Sequence, residues 1–211
     1  MAFGFDYSRG GDYLPIIKYD ARAGRLTRVD RKDGVSVPVD ITNAFKALVD
    51  LDNLEHGWIA FGDAGPDFQM ARLGEPAPAK PSDRHKMGVR LMLKLSGDCG
   101  GDVREFATNA SVSLRGLDRL HDEFLAKREE GKLPIVRLKE TIPVTTGQGS
   151  QKSTNWEPSF EIIGWAARPD DLQPTRAREN ASLKNPAAPP ATGATKVGAP
   201  KELFGTLGDF G

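Results

Sequence analysis

Cysteine is all but absent from this chain of 211 residues: Cys99 stands alone. One thiol can form no internal disulfide and cannot build a cysteine-ligated zinc site. Histidine is nearly as scarce, and His56, His85 and His121 lie too far apart for ligand spacing. No apolar run approaches the roughly 20 residues of a membrane span, and the N-terminus lacks a signal-peptide core. These absences lead to the expectation of a soluble protein of a reducing cytoplasm, with no membrane partner and no cofactor. Net charge is lacking too, because 29 Lys and Arg balance 29 Asp and Glu. No global basicity therefore points to a polyanion. Catalytic signatures are also missing. There is no Gly-rich phosphate loop, no histidine pair at helical spacing and no Gly-x-Ser-x-Gly elbow. The acidic residues are not ordered into a metal-binding pair. A protein that binds, and not an enzyme, is expected.

What the chain does have is charge separated along its length. Residues 14–32 carry a net +4, residues 40–75 a net −5 and residues 80–96 a net +4. The last basic segment holds KMGVRLMLKLS, residues 86–96, which reads with period two. Met87, Val89, Leu91, Leu93 and Leu95 fall on one side. Lys86, Arg90 and Lys94 fall on the other, with Met92 among them. That alternation predicts a half-buried strand with a purely basic solvent face.

The other elements follow from pattern and punctuation. Residues 1–13 are Gly- and aromatic-rich without a period and read as a flexible N-terminal arm. Strands are expected at 14–19, 25–31 and 35–41, the last two joined by the hairpin signal Asp33-Gly34. Residues 42–51 fit a short helix or a strand equally well. GWIAF, residues 57–61, is a compact strand, and 68–73 can pair back to it. Residues 75–82 are Pro-rich and read as a loop. After a strand at 103–107 comes one amphipathic helix, about 111–130. Its apolar stripe is Leu114, Leu117, Leu120, Phe124 and Leu125, and Asn109 or Ser111 stands ready as a cap. Strands are expected at 133–145, where Pro143 breaks the run, and at 156–165. A polar loop, 147–154, joins them. From 169 to 211 the chain is rich in Pro, Ala, Gly and Thr and reads as a disordered tail. Only Leu203, Phe204, Leu207 and Phe210 restore apolar character at its tip, which suits partner binding.

Basic strands and aromatics are interleaved. Single-strand binders need both, because cations follow phosphates while flat rings stack on bases without reading sequence. The candidate nucleic-acid-binding residues are Lys18, Tyr19, Arg22, Arg25, Arg28, Trp58, Phe61, Lys86, Arg90, Lys94, Arg137, Lys139, Lys152, Trp156 and Phe160. Trp165, on the opposite parity from Trp156, reads as core. A helix ahead of two final strands joined by a loop suits an OB-like antiparallel β-barrel spanning 14–168. In such a barrel the helix lies between the third and fourth strands, and ligand lies beside the loops joining strands 1–2 and 4–5. Residues 86–96 are then expected as strand three.

On YLPIIKYDARAGRLTRVDR, GWIAF, LPIVRLK and NWEPSFEIIGW, the chain resembles the single-stranded-DNA-binding proteins of bacteriophages and prophages. The resemblance covers roughly residues 13–168. It implies coating of single-stranded DNA during replication or recombination in the cytoplasm of a bacterial host. It also implies replication or recombination partners for the apolar tip, and a possible homo-oligomer. The alternative is a β-rich structural or assembly protein of a phage particle, using its strand edges for self-association.

Overall fold

The computed structural model describes residues 15–62, 65–146, 148–149 and 152–174. The arm at 1–13 and the apolar tip Leu203, Phe204, Leu207 and Phe210 lie outside the described residues. Ten strands and one helix follow in chain order: β1 (Ile16–Asp20), β2 (Arg25–Lys32), β3 (Val35–Asp40), β4 (Lys46–Val49), β5 (Glu55–Gly62), β6 (Gly65–Arg72), β7 (Lys86–Leu95), β8 (Val103–Thr108), α1 (Ser111–Lys127), β9 (Lys132–Thr146) and β10 (Ser153–Ala167). Asp33 and Gly34 both take left-handed backbone, at φ 51° and 79°. That is the conformation a two-residue hairpin turn requires, and it is why Asp-Gly marks one. Residues 42–51, open between helix and strand, hold strand β4. Its partners decide the matter, since it is wedged between β7 and β9 and pairs with both.

The strands run in the order β10-β9-β4-β7-β8-β1-β2-β3, with β5 joining β7 and β6 joining β5. Pairing is antiparallel except for β1 and β8, which run parallel. The sheet rolls up so that β10 meets the β1–β2 turn. The Trp156 N–H donates to the Ala21 carbonyl at 2.6 Å, and the Tyr19 hydroxyl donates to the Trp156 carbonyl at 3.0 Å. The result is a barrel-like, mainly β fold with one helix before the last two strands. The strand next before the helix is β8, so β8 is third in that count. Residues 86–96 form the second strand and β4 the first.

Leu26, Phe45, Leu91, Phe106, Leu120 and Val136 belong to the core inside the roll. A void of about 20 Å³ lies among them, little more than a water needs. The barrel interior is therefore packed and does not hold a ligand. Helix α1 closes the roll. Val112, Leu117, Leu120 and Phe124 are buried, whereas Leu125, expected in the stripe, is 57 % exposed. No side chain caps the helix start; the Asn109 amide donates instead to the Ile59 carbonyl. A Cβ on Gly116 would stand 2.3 Å from the Pro158 carbonyl oxygen, so only glycine lets helix and strand approach this closely. Arg115 and Arg119 both bind the buried Glu157 carboxylate of β10. Burial pushes that carboxyl up, and the two guanidiniums more than offset it, leaving it below the usual range.

Three departures from the sequence expectation lie in the last two strands and just beyond them. Pro143 does not break β9, which continues to Thr146. At that point β9 pairs only with β10, and a free edge tolerates a residue with no N–H. A bulge between Ser159 and Phe160 interrupts the alternation of β10 against β9. The folded body also runs on past Arg168. The Arg168 guanidinium grips both oxygens of buried Asp50 at 2.6 Å, and Leu172 is fully buried with Met92 and Leu133. The segment 168–174 is thus a strap across the sheet, where a disordered tail from 169 was expected.

Candidate nucleic-acid interface

The basic face expected on β7 is not free. β7 is hydrogen-bonded to β4, β5 and β8, so it lies inside the sheet. Its outer surface is covered as well. Arg90 stands directly opposite Glu55 in the β5–β7 register. It is 5 % exposed, its Nε and Nη2 each lie 2.8 Å from Glu55 Oε2, and the Phe68 ring covers its guanidinium at 4.7 Å. A buried charge needs such a partner, because desolvating it alone costs several kcal/mol. Arg90 is therefore part of the structure and not a phosphate ligand. Lys94 is bound by Asp171 of the strap at 2.7 Å. Only Lys86 of the three remains exposed.

Two further candidates are half-buried and engaged within the protein. Phe160 packs into the core, with its ring centroid 6.1 Å from that of Phe45, and cannot stack on a base. Arg28 donates to the Cys99 carbonyl at 2.6 Å and pairs with Asp30. Trp165 packs on Phe124, at 5.9 Å between ring centroids, as expected of a core residue.

The remaining candidates fall into separate places. Arg22 is exposed on the β1–β2 turn, and Arg25 pairs there with Asp40. Trp156 lies half-buried over that turn, where a Cβ on Gly24 would come within 2.9 Å of it. Lys139 and Lys152 are exposed on the β9–β10 hairpin, where Arg137 pairs with Glu161. Trp58 and Phe61 differ in parity, so they take opposite faces of the β5–β6 hairpin. Trp58 donates its indole N–H to the Pro78 carbonyl at 2.8 Å, with Lys80 over its ring.

One groove does unite candidates from distant parts of the chain. It runs between β1 and the β5–β6 hairpin, across β8, and holds about 360 Å³. Phe61, Pro66 and Phe68 form one wall, and Lys18 and Tyr19 the other. Ile16, Glu105 and Ala107 lie in its floor and Asn109 at its end. Phe61 is 54 % exposed, and Lys18 is exposed beside it. The Tyr19 phenol is pushed up to about 12, first by burial and then by the charges of Asp20 and Glu157. It stays neutral in ordinary buffers and keeps its hydrogen bond to Trp156. Arg84 reaches the hairpin end: a Cβ on Gly62 would lie 3.2 Å from its guanidinium.

Phe68, Pro66, Asn109 and Arg84 were not among the sequence candidates. Phe68 was detectable, because it pairs with Ile59 in the β5–β6 register and so shares the parity of Phe61. Arg84 and Asn109 sit in connections, where no periodicity marks a side. Among the described residues no group of three His, Cys, Asp or Glu could hold a metal ion. No described helix is long and apolar enough to cross a membrane. The arrangement offers an apolar aromatic wall facing a cation. The chain matches no family model, no curated protein and no solved structure.

Proposed function

We propose that this chain binds single-stranded DNA in the groove between β1 and the β5–β6 hairpin. It would serve replication or recombination of a phage or prophage. The observation that carries the reading is the meeting of Phe61, Phe68 and Lys18 across β8. Oligonucleotide-binding barrels use the face of strands two and three, together with the loop between strands one and two. Counted from the helix, β7 and β8 are strands two and three, and the β5–β6 hairpin lies in the connection from strand one to strand two. A groove beside strand three and that connection supports the reading. Bases stack on Phe61, while Lys18 and Arg84 neutralise phosphate and release counterions.

The test is a titration of labelled oligothymidine, followed by anisotropy over a range of salt, with a duplex of equal length alongside. Single-strand binding that weakens with salt, with Phe61→Ala and Lys18→Glu each weaker still, supports the groove. Equal binding to the duplex, or indifference to both substitutions, overturns it. The second reading, a structural protein of a phage particle, is favoured by β3. Among the described residues that strand pairs only with β2, and it exposes Val35 and Val37. It predicts self-association with no affinity for DNA.

A further inference from the structure

Among the described residues two apolar surfaces have no cover, and they differ in shape. The first is convex. Residues 31–38, at the end of the β2–β3 hairpin, are all exposed, and Val35 and Val37 are 64 % and 39 % exposed. Lys32 faces Val35 across the hairpin in register, so all three share one side. The second is concave. A groove of about 340 Å³ runs between α1 and the β5 and β7 strands. In it Leu73 and Met87 are 48 % and 43 % exposed, and Asp118 of α1 stands at its wall. Monomers rarely leave large apolar residues uncovered in groups, and such patches mark interaction sites.

We infer that the β2–β3 hairpin of one copy docks in the α1 groove of a second copy. Shape and polarity agree, since a ridge of two valines meets a trough lined by leucine and methionine. The trough is also lined by His56, Arg115 and His121, but Arg115 is taken up by Glu157, so Asp118 is left to meet Lys32 of the ridge. The hairpin cannot fill its own groove from its place in the sheet, where β8, β1 and β2 stand between β7 and β3. Simple edge-to-edge pairing of two β3 strands is disfavoured by Pro38. That residue has no N–H to donate, and proline is a usual guard of an open edge. A contact between two unlike surfaces either closes reciprocally, each hairpin seated in the other copy's groove, or runs head-to-tail as a ring or a chain. The inference stands independently of the DNA reading.

The experiment is sedimentation velocity of the full chain over a hundredfold range of concentration. Two variants are run alongside it: Val35→Asp with Val37→Asp, which spoils the ridge, and Met87→Asp, which spoils the trough. All these side chains are exposed, so both variants should keep the far-ultraviolet circular dichroism and melting temperature of the parent. The parent should show a mass that rises with concentration, while each variant alone stays monomeric. An equimolar mixture of the two variants retains one intact ridge and one intact trough, so it should form dimers and nothing larger. A parent that is monomeric throughout overturns the inference. So does assembly lost only in the ridge variant, the result expected of β3 edge pairing. A mixture that remains monomeric overturns it as well.

Discussion

β7 and β1 look alike as sequence, each setting basic residues among apolar ones, yet the fold treats their charges oppositely. β7 has strand partners on both edges, the Phe68 ring above Arg90 and the strap above Met92. Two of its three cations, Arg90 and Lys94, are taken up by Glu55 and Asp171. β1 pairs with β2 and β8, but Lys18 on its outer side stays exposed in an open groove. Alternation therefore tells that a side chain leaves the sheet on a given side. What lies over that side depends on elements far away in the chain.

The contrast is broken most strongly at Arg90. Arg90→Ala takes from the buried Glu55 carboxylate the guanidinium that faces it, and should cost about 3–5 kcal/mol of stability. The chemical-denaturation midpoint will fall accordingly, while Lys18→Ala should move it by no more than about 0.5 kcal/mol. The strap comes next. Leu172→Ala empties a fully buried position and should cost about 2–5 kcal/mol in the same measurement. A strap that merely rests on the surface would show no loss.

The groove side is sharpened by affinity. Phe61→Ala should weaken oligothymidine binding by about 1–3 kcal/mol, the worth of one stacked base, with no change in melting temperature. Tyr19→Phe gives a smaller effect, about 0.5–1.5 kcal/mol of stability for the lost hydrogen bond to Trp156. The parent phenol titrates at 10.0 when unfolded and about 12 when folded. The unfolded state loses its proton first, so parental stability falls as pH rises from 10 toward 12. The phenylalanine variant should lack that component of the fall, as pH-resolved melting will reveal. The smallest effect belongs to Lys18→Gln, which should lower the salt slope of binding by about one unit.

Most of the elements were legible in the sequence. Asp33-Gly34 located the β2–β3 turn, and the stripe of Leu117, Leu120 and Phe124 located α1. Period two located β7. The sequence did not reveal which surfaces are covered, because cover comes from pairings such as Glu55 with Arg90 or Asp50 with Arg168. These lie 35 and 118 positions apart. Nothing local distinguishes Arg90, held in the interior, from Lys18, left in solvent. Leu172 shows the same limit: a lone leucine in a Pro- and Asp-rich stretch has no period, yet it fills a site prepared by Met92 and Leu133. The candidate groove was half legible, with Lys18, Tyr19 and Phe61 in hand. Phe68 was within reach of its parity, and Arg84 and Asn109 were not.

The parallel pairing of β1 with β8 bears on the order in which the molecule can assemble. Ile16 must find Glu105, and Ala21 must find Trp156. A chain emerging from the ribosome makes β1, β2 and β3 first, as two hairpins closed by local turns. They must then wait, because β8 arrives much later and β10 later still. Loop closure over such spans costs entropy before any contact rewards it, and non-local pairing is slow for that reason. The first strands synthesised are thus among the last to be sealed in. Until then their valines and open edges are the most exposed part of the nascent protein.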